Sequence, residues 1–229
     1  MNTALLQVED YVRQVMAQEP AHDFKHVDRV RNWALRIAEG EGFEDLEVVQ
    51  AAALLHDIGL PYVENRKMHG QVGAQIAATF LRERDLFPEE KIAQISDAIR
   101  HHNSIREGSG ELLKILRDAD KMDMFGAVGI MRAFVSKAAK PEYDPRNAKG
   151  HIWGKSLREF DARSEQGLEP GDYIVDQINL QIACYEDLST EIARQLARPL
   201  VEFMKNYIIQ LEAEVKQSFA GPTATRTWR

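Results

Sequence analysis

Six of the seven histidines precede Asp118, as His22, His26, His56, His69, His101 and His102; the seventh is His151. Aspartates accompany them at Asp23, Asp57, Asp118, Asp120 and Asp123. Imidazole nitrogens and carboxylate oxygens in one set suit a divalent cation such as Mn, Fe, Co, Ni or Zn, with Mg also compatible. Neutral imidazole offers a lone pair, carboxylates offset the cation's charge, and open positions remain for water and a phosphate oxygen. The His56-Asp57 pair is the sharpest local feature. Neighbouring residues inside a helix point about 100° apart, so two adjacent ligands converge on one ion only at a helix end. Gly59 and Pro61 follow as a helix-stop pattern. Ala53-Leu54-Leu55 places the pair at the end of a buried helix, where ionisable groups are costly unless paired or metal-bound. His22-Asp23 is a second such dipeptide, read as a helix cap with an exposed neighbour.

Helical periodicity positions these residues, and nothing alternates like a strand. Leu5, Val8, Val12 and Val15 form one stripe, ending near Pro20. Asp23 caps a second helix that runs to Gly40 with Val27, Val30, Ala34, Ile37 and Ala38 inward. Further helices are expected over Leu46 to Ile58, His69 to Arg84 and Pro88 to His101 or His102, then from Glu111 into a following helix. Between Lys137 and Asp172 the pattern dissolves, apart from a short helix around Leu157. So long a loop has a task or is mobile: with Tyr143 and Trp153 it covers the site or connects, and Trp153 is a candidate for stacking on a base. Two long helices follow, Tyr173 to Leu196 and Pro199 to Gln217, which pack on the core or form a homodimer interface; the tail from Ser218 is expected to fray.

Composition narrows the partners. A net charge of −7 opposes an extended nucleic-acid surface, though not a local pocket for one small phosphorylated ligand. No apolar run approaches the roughly 20 residues needed to span a bilayer. The opening residues lack a signal-peptide pattern, so a cytoplasmic location is expected. The single cysteine, Cys184, excludes an internal disulfide and a cysteine-based zinc site within these 229 residues.

Three segments, AHDFKHVDRV, AAALLHDIG and RDADKMDMFGAVGI, resemble in order the HD superfamily of metal-dependent phosphohydrolases. They are similar in particular to its small stand-alone bacterial and archaeal branch, with an HDxxHxxRV opening and a DADxxDxxGAxGxxR segment. The resemblance covers roughly residues 20–135. It implies an all-α HD-domain helical bundle with additional C-terminal helices: one domain over 1–217, comprising an HD core (20–135), the loop (137–172) and C-terminal helices (173–217), with a flexible tail (218–229). It further implies that His26, His56, Asp57 and Asp120 hold a divalent metal. Asp120 is chosen over Asp118 on the family's Ala-Asp-Lys/Arg pattern, leaving Asp118 to cap, to orient a ligand histidine or to pair with Arg29.

His69 and His102 stand where some members hold a second metal, with Asp57 then bridging; otherwise they line the pocket, contact phosphate or protonate the leaving group. The implied reaction is hydrolysis of a small phosphate ester or anhydride, with a nucleotide among the candidates. Asp57 would orient or deprotonate water, and Lys121, ahead of Arg66, Lys67 and Arg100, would offset phosphoryl charge. Asp123 is a polar pocket residue or a cap, and His151 is solvent-exposed. HDIGLP lacks the Glu-Asp of guanosine tetraphosphate hydrolases, and the Gly-Tyr-Pro signature of cyclic-dinucleotide phosphodiesterases is missing, with Asn103 following His101-His102. Two other classes compete: a di-iron oxygenase on the same scaffold, and a metal-bearing nucleotide-binding or regulatory protein with little catalysis.

Overall fold

A computed structural model describes residues 3–16, 22–104, 107–167 and 170–219. Among them the architecture is all-α, and the only strand-like pairing is one isolated bridge between Asp144 and Asn147. In chain order the α-helices are α1 (Thr3–Val15), α2 (Phe24–Glu41), α3 (Leu46–Leu55), α4 (His69–Glu83), α5 (Glu89–His101), α6 (Glu111–Met122), α7 (Gly126–Ser136), α8 (Leu157–Glu165), α9 (Ile174–Ala183) and α10 (Glu191–Phe219). The chain divides into two compact units, Met1–Asp123 with Leu188–Leu196, and Met124–Asp187 with Ala197–Arg229. No helix among the described residues is long and apolar enough to cross a membrane.

The first unit is organised around α3. Val48, Val49, Ala51, Ala52, Ala53, Leu54 and Leu55 are all buried, so from Ala51 onward this helix is buried around its whole circumference. Helices α1, α2, α5 and α6 pack against it. Small alanines let those neighbours approach closely, and burial of so much apolar surface is the main stabilising term. On α2 the buried stripe is the expected one, and His26 shares it. Asp23 caps that helix by accepting from the His26 amide at 3.2 Å. The helix ends at Gly42, whose φ of 78° is the left-handed conformation a C-terminal glycine supplies, two residues beyond the expected Gly40. On α1, Met16 completes the buried face and Val15 is only half-buried; the expected stop near Pro20 lies outside the described residues.

Helix α3 stops at Leu55, short of the expected Ile58. A tight turn follows, in which Ile58 donates to the Leu55 carbonyl (3.1 Å) and Leu60 to the Asp57 carbonyl (2.9 Å). Two short 3-10 turns, Leu60–Tyr62 and Arg66–Met68, then lead into α4.

The expected helix break at Pro199 is corrected by the structure. The interruption lies upstream, where α9 gives way to a 3-10 turn at Cys184–Asp187, and α10 then runs through Pro199. The buried carboxylate of Asp118 decides this. It accepts from the Ser189 amide (2.9 Å), the Thr190 amide (2.7 Å) and the Thr190 hydroxyl (2.7 Å). Thr190 Oγ1 in turn accepts from the Ala193 amide at 3.3 Å and so caps α10. Pro199 is exposed, so the Gln195 carbonyl it leaves without a helical donor lies on the solvent side, where the loss is tolerated.

In the second unit the expected helix near Leu157 is α8. The segment around it has a small core of its own, Ile152, Phe160 and Ala183, with Leu157 and Leu180 packed alongside. Buried Asp176 ties the preceding loop down by accepting from the His151 amide at 3.0 Å and the Tyr173 amide at 3.3 Å. Ser218, expected to begin a frayed tail, is still helical, and residues 220–229 lie outside the described residues.

Removing the Asp118 carboxylate leaves two amides and a hydroxyl without their acceptor. Asp118→Ala is therefore expected to lower stability by about 2–4 kcal/mol, measured by denaturant unfolding. A loss under about 0.5 kcal/mol, the range of surface substitutions, would contradict this role.

Candidate metal centre

Helix ends of the first unit supply every side chain of the centre. His22 and His26 come from the start of α2, His56 and Asp57 from the end of α3, and His69 is the first residue of α4. His102 follows α5, while Asp120 and Asp123 close α6. At an end the backbone turns away, so consecutive side chains are released from the 100° separation that keeps them apart within a helix.

Asp57 is the hub, and its two oxygens face different histidines. Its Oδ2 accepts from His22 Nδ1 at 2.7 Å and lies 3.3 Å from His56 Nε2 and 3.5 Å from His26 Nε2. Its Oδ1 lies 3.2 Å from His69 Nε2 and 3.5 Å from His102 Nε2. Asp120 Oδ1 stands 3.5 Å from His26 Nε2 and 3.9 Å from His56 Nε2, with its side chain 37% exposed. Three overlapping triads have the spacing to hold a cation: His22–His26–Asp57, His26–His56–Asp120 and His56–Asp57–His102.

The far side of each imidazole fixes its tautomer. His56 Nδ1 donates to the Ala53 carbonyl (2.8 Å) and His102 Nδ1 to the Ile99 carbonyl (2.7 Å). His69 Nδ1 donates to the Arg66 carbonyl, beside which Asn103 Nδ2 donates to the Lys67 carbonyl at 3.0 Å. His26 Nδ1 donates to Asp123 Oδ2 (2.7 Å), and that carboxylate is itself gripped by the Arg29 guanidinium. Carbonyls and ionised carboxylates only accept, so Nδ1 carries a proton in all four rings, and it is Nε2 that faces inward and offers a lone pair when the ring is neutral. The buried Nε2 atoms of His26 and His56 have no hydrogen-bond partner. His69 and His102 bring their Nε2 atoms within 3.0 Å of one another. Two neutral rings of this tautomer have no hydrogen to share there, so the approach calls for a proton or a cation. This donor set, orphaned and converging, fits a divalent metal.

The charges say the same. Burial opposes charge on His56, but the facing Asp57 and Asp120 carboxylates outweigh it and raise its pKa to about 9. Burial likewise opposes charge on His26, and Asp123 and Asp57 overcome it. Asp57 is held well below the usual carboxylate range despite burial, by His56 first and then by hydrogen bonds from the other imidazoles. Asp120 is lowered in the same way against its own desolvation. His102, where burial dominates, is lowered. The carboxylates hold positive charge beside them.

Of the seven residues expected at the centre, six are brought together: His26, His56, Asp57, His69, His102 and Asp120. Asp118 is elsewhere, and Arg29 pairs with Asp123 instead. His22 was expected to be an exposed neighbour of a cap and is instead part-buried on Asp57; its place in the HDxxHxxRV opening was the available signal. Asp123 resolves as the orienting partner of His26. Lys121 is partly buried, Arg66 and Lys67 are exposed in the turn before His69, and Arg100 lines a groove with Ala78 and Ser96. His151 is exposed, as expected, with its ring stacked on Tyr173.

Comparison with known proteins bears on the fold. The model of the HD domain family matches residues 23–124. An uncharacterised protein of Bacillus subtilis, YpgQ, is 29% identical over 224 residues, covering 91% of this chain and 92% of that protein. The crystal structure of YpgQ in complex with ADP superposes with a TM-score of 0.61 at 24% identity, covering 92% of this chain and 94% of that one. A predicted HD superfamily hydrolase from an uncultured Thermotogales bacterium gives a TM-score of 0.62 at 28% identity, with 92% of each chain covered.

A close backbone approach keeps His69 beside Asp57. The turn after His56-Asp57 packs directly on the start of α4, and a Cβ at Gly59 would stand 2.2 Å from the His69 carbonyl oxygen and 2.6 Å from the Gly73 amide nitrogen. Gly59 has a φ of −81°, so it is required for space rather than for a left-handed conformation. Gly59→Ala is expected to cost about 1–3 kcal/mol in denaturant unfolding as the turn and α4 are pushed apart. An unchanged unfolding midpoint would show that the two segments separate freely.

Proposed function

We propose, from the premise that residues 23–124 are an HD domain, that this chain is a metal-dependent hydrolase of small phosphate esters or anhydrides. The observation that carries the reading is the pair of buried, partnerless Nε2 atoms on His26 and His56, aimed beside the Asp57 and Asp120 carboxylates. His26, His56, Asp57 and Asp120 would hold the cation. A bound divalent cation supplies Lewis acidity, polarising a phosphoryl oxygen and lowering the pKa of water.

The chain's own groups divide the remaining work. Asp57, kept ionised by the imidazoles around it, is placed to orient the attacking water. His22 donates to the same Asp57 oxygen that faces His26 and His56, which fixes the carboxylate's rotation. Asp123, clamped by Arg29, holds His26 with its lone pair inward. Lys121, next to Asp120, offsets charge on the phosphoryl oxygens. A two-cation form is supported by the split of Asp57, one oxygen toward His22, His26 and His56 and the other toward His69 and His102. With one cation, His69 and His102 would contact the phosphoryl group. The ADP complex of YpgQ supports a nucleotide as the substrate class.

Metal analysis followed by phosphate release from nucleotides and phosphoesters, with each divalent metal and under anaerobic conditions, tests the reading. Asp57→Ala and Asp120→Ala are expected to lose both bound metal and turnover; unchanged metal content in both variants would sink the assignment. Turnover that needs oxygen would favour a di-iron oxygenase instead.

Asp123→Ala frees His26 to rotate without removing a ligand. It is expected to weaken cation affinity by about 10–100-fold, measured by competition against a chelating dye. An unaltered affinity would show that the Asp123–His26 bond is ornamental to binding.

A further inference from the structure

Arg117 opens the segment RDADKMD, whose three aspartates already have tasks, and the proposed hydrolase gives it none. It lies half-buried on α6. Its Nη2 donates to the carbonyls of His101 (2.7 Å), Ser104 and Glu107, all in or just after the last turn of α5. A guanidinium nitrogen carries two hydrogens, so the three acceptors share them. Carbonyls at a helix C-terminus are left over by the helix itself, and a cation beside them is favoured.

The clamp bears on His102. The peptide group that joins His101 to His102 is planar, so pinning the His101 oxygen also fixes the Cα of His102. The same oxygen accepts from the Ser104 amide at 3.0 Å, which occupies its second lone pair. Further along, the Glu107 amide donates to Ser104 Oγ at 3.2 Å. Gly108 packs its backbone on the His101 side chain, where a Cβ would stand 2.7 Å from His101 Cβ. The backbone of His102 is therefore held by Arg117, while its ring is turned by the Nδ1 bond to the Ile99 carbonyl at 2.7 Å. Together these bonds set Nε2 at 3.5 Å from Asp57 Oδ1 and 3.0 Å from His69 Nε2.

We propose that Arg117 is a positioning residue of the metal centre, acting through His102 by holding the His101–His102 peptide. What His102 then does, as a ligand of a second cation or a contact to the phosphoryl group, rests on the hydrolase reading. The clamp itself does not. Lysine, a compact donor with three hydrogens, would serve the same carbonyls less completely than the longer guanidinium.

The test uses the full chain with isotope-labelled histidine, stripped of metal by a chelator. Long-range proton–nitrogen NMR reports each imidazole, and His102 is assigned by the signals lost in His102→Gln. Arg117→Met removes the donors while keeping a long side chain. Its His102 ring signals are expected to shift or broaden, those of His26 and His56 to stay, and Arg117→Lys to restore the natural pattern in part. Unmoved His102 signals, or equal movement of His26 and His56, would overturn the proposal. Should Arg117→Met not fold, Arg117→Gln, a shorter side chain, is judged by the same signals. With metal restored, Arg117→Met is expected to weaken cation affinity by about tenfold, or to raise KM for phosphate release by about as much at unchanged affinity. No change in either also counts against it. Failure of the natural chain to bind metal or release phosphate would strike the hydrolase reading instead, and the metal-free spectra would still decide the clamp.

Discussion

Everything in the first unit answers to one expense, a carboxylate taken out of water. Asp57 is 3% exposed, and an ion so placed is tolerated only with compensating charge and hydrogen bonds. Five imidazoles supply the surround, each delivered by a helix end and four of them anchored by Nδ1 on a carbonyl or carboxylate that fixes its direction. Apolar helix α3 makes the arrangement rigid, because its burial on every side from Ala51 onward fixes where its last turn can project His56 and Asp57. Packing thus governs direction, and direction governs chemistry.

The expense is not fully met by the protein itself. His26 and His56 leave inward lone pairs without partners, and His69 and His102 face each other with lone pairs of their own. A fold that needed only to bury these groups would pair them with one another. Here the acceptors converge on shared space, so the missing positive charge is part of the design, as the raised pKa of His56 also indicates.

Some of this was readable in the residues and some was not. The apolar stripe that carries His26 and the stop after His56-Asp57 follow from local patterns, because helix periodicity and end signals act within a few positions, whereas Asp120 was singled out only by the resemblance to a family pattern. His22, Asp123 and Arg29 were obscure because their partners lie 35, 97 and 94 positions away respectively. No local signal distinguishes an aspartate capping its own helix from one orienting a histidine on another. Pro199 misled for the same reason: its local tendency to stop a helix was overridden by a distant clasp at Ser189 and Thr190.

That clasp explains why Asp118 and Asp120 serve different ends although one residue separates them. Two positions along a helix rotate a side chain by about 200°, so the two carboxylates face nearly opposite sides of α6. Asp118 turns into the scaffold and holds Thr190, which caps the start of α10. Asp120 turns to the histidines, and Asp123, a further three positions on, returns to within about 60° of the same face and reaches His26. One short helix therefore ties the chain's distant segment on one side and trims the histidine cluster on the other. An aspartate moved by a single position would serve neither side, and the spacing 118, 120, 123 reflects both constraints at once.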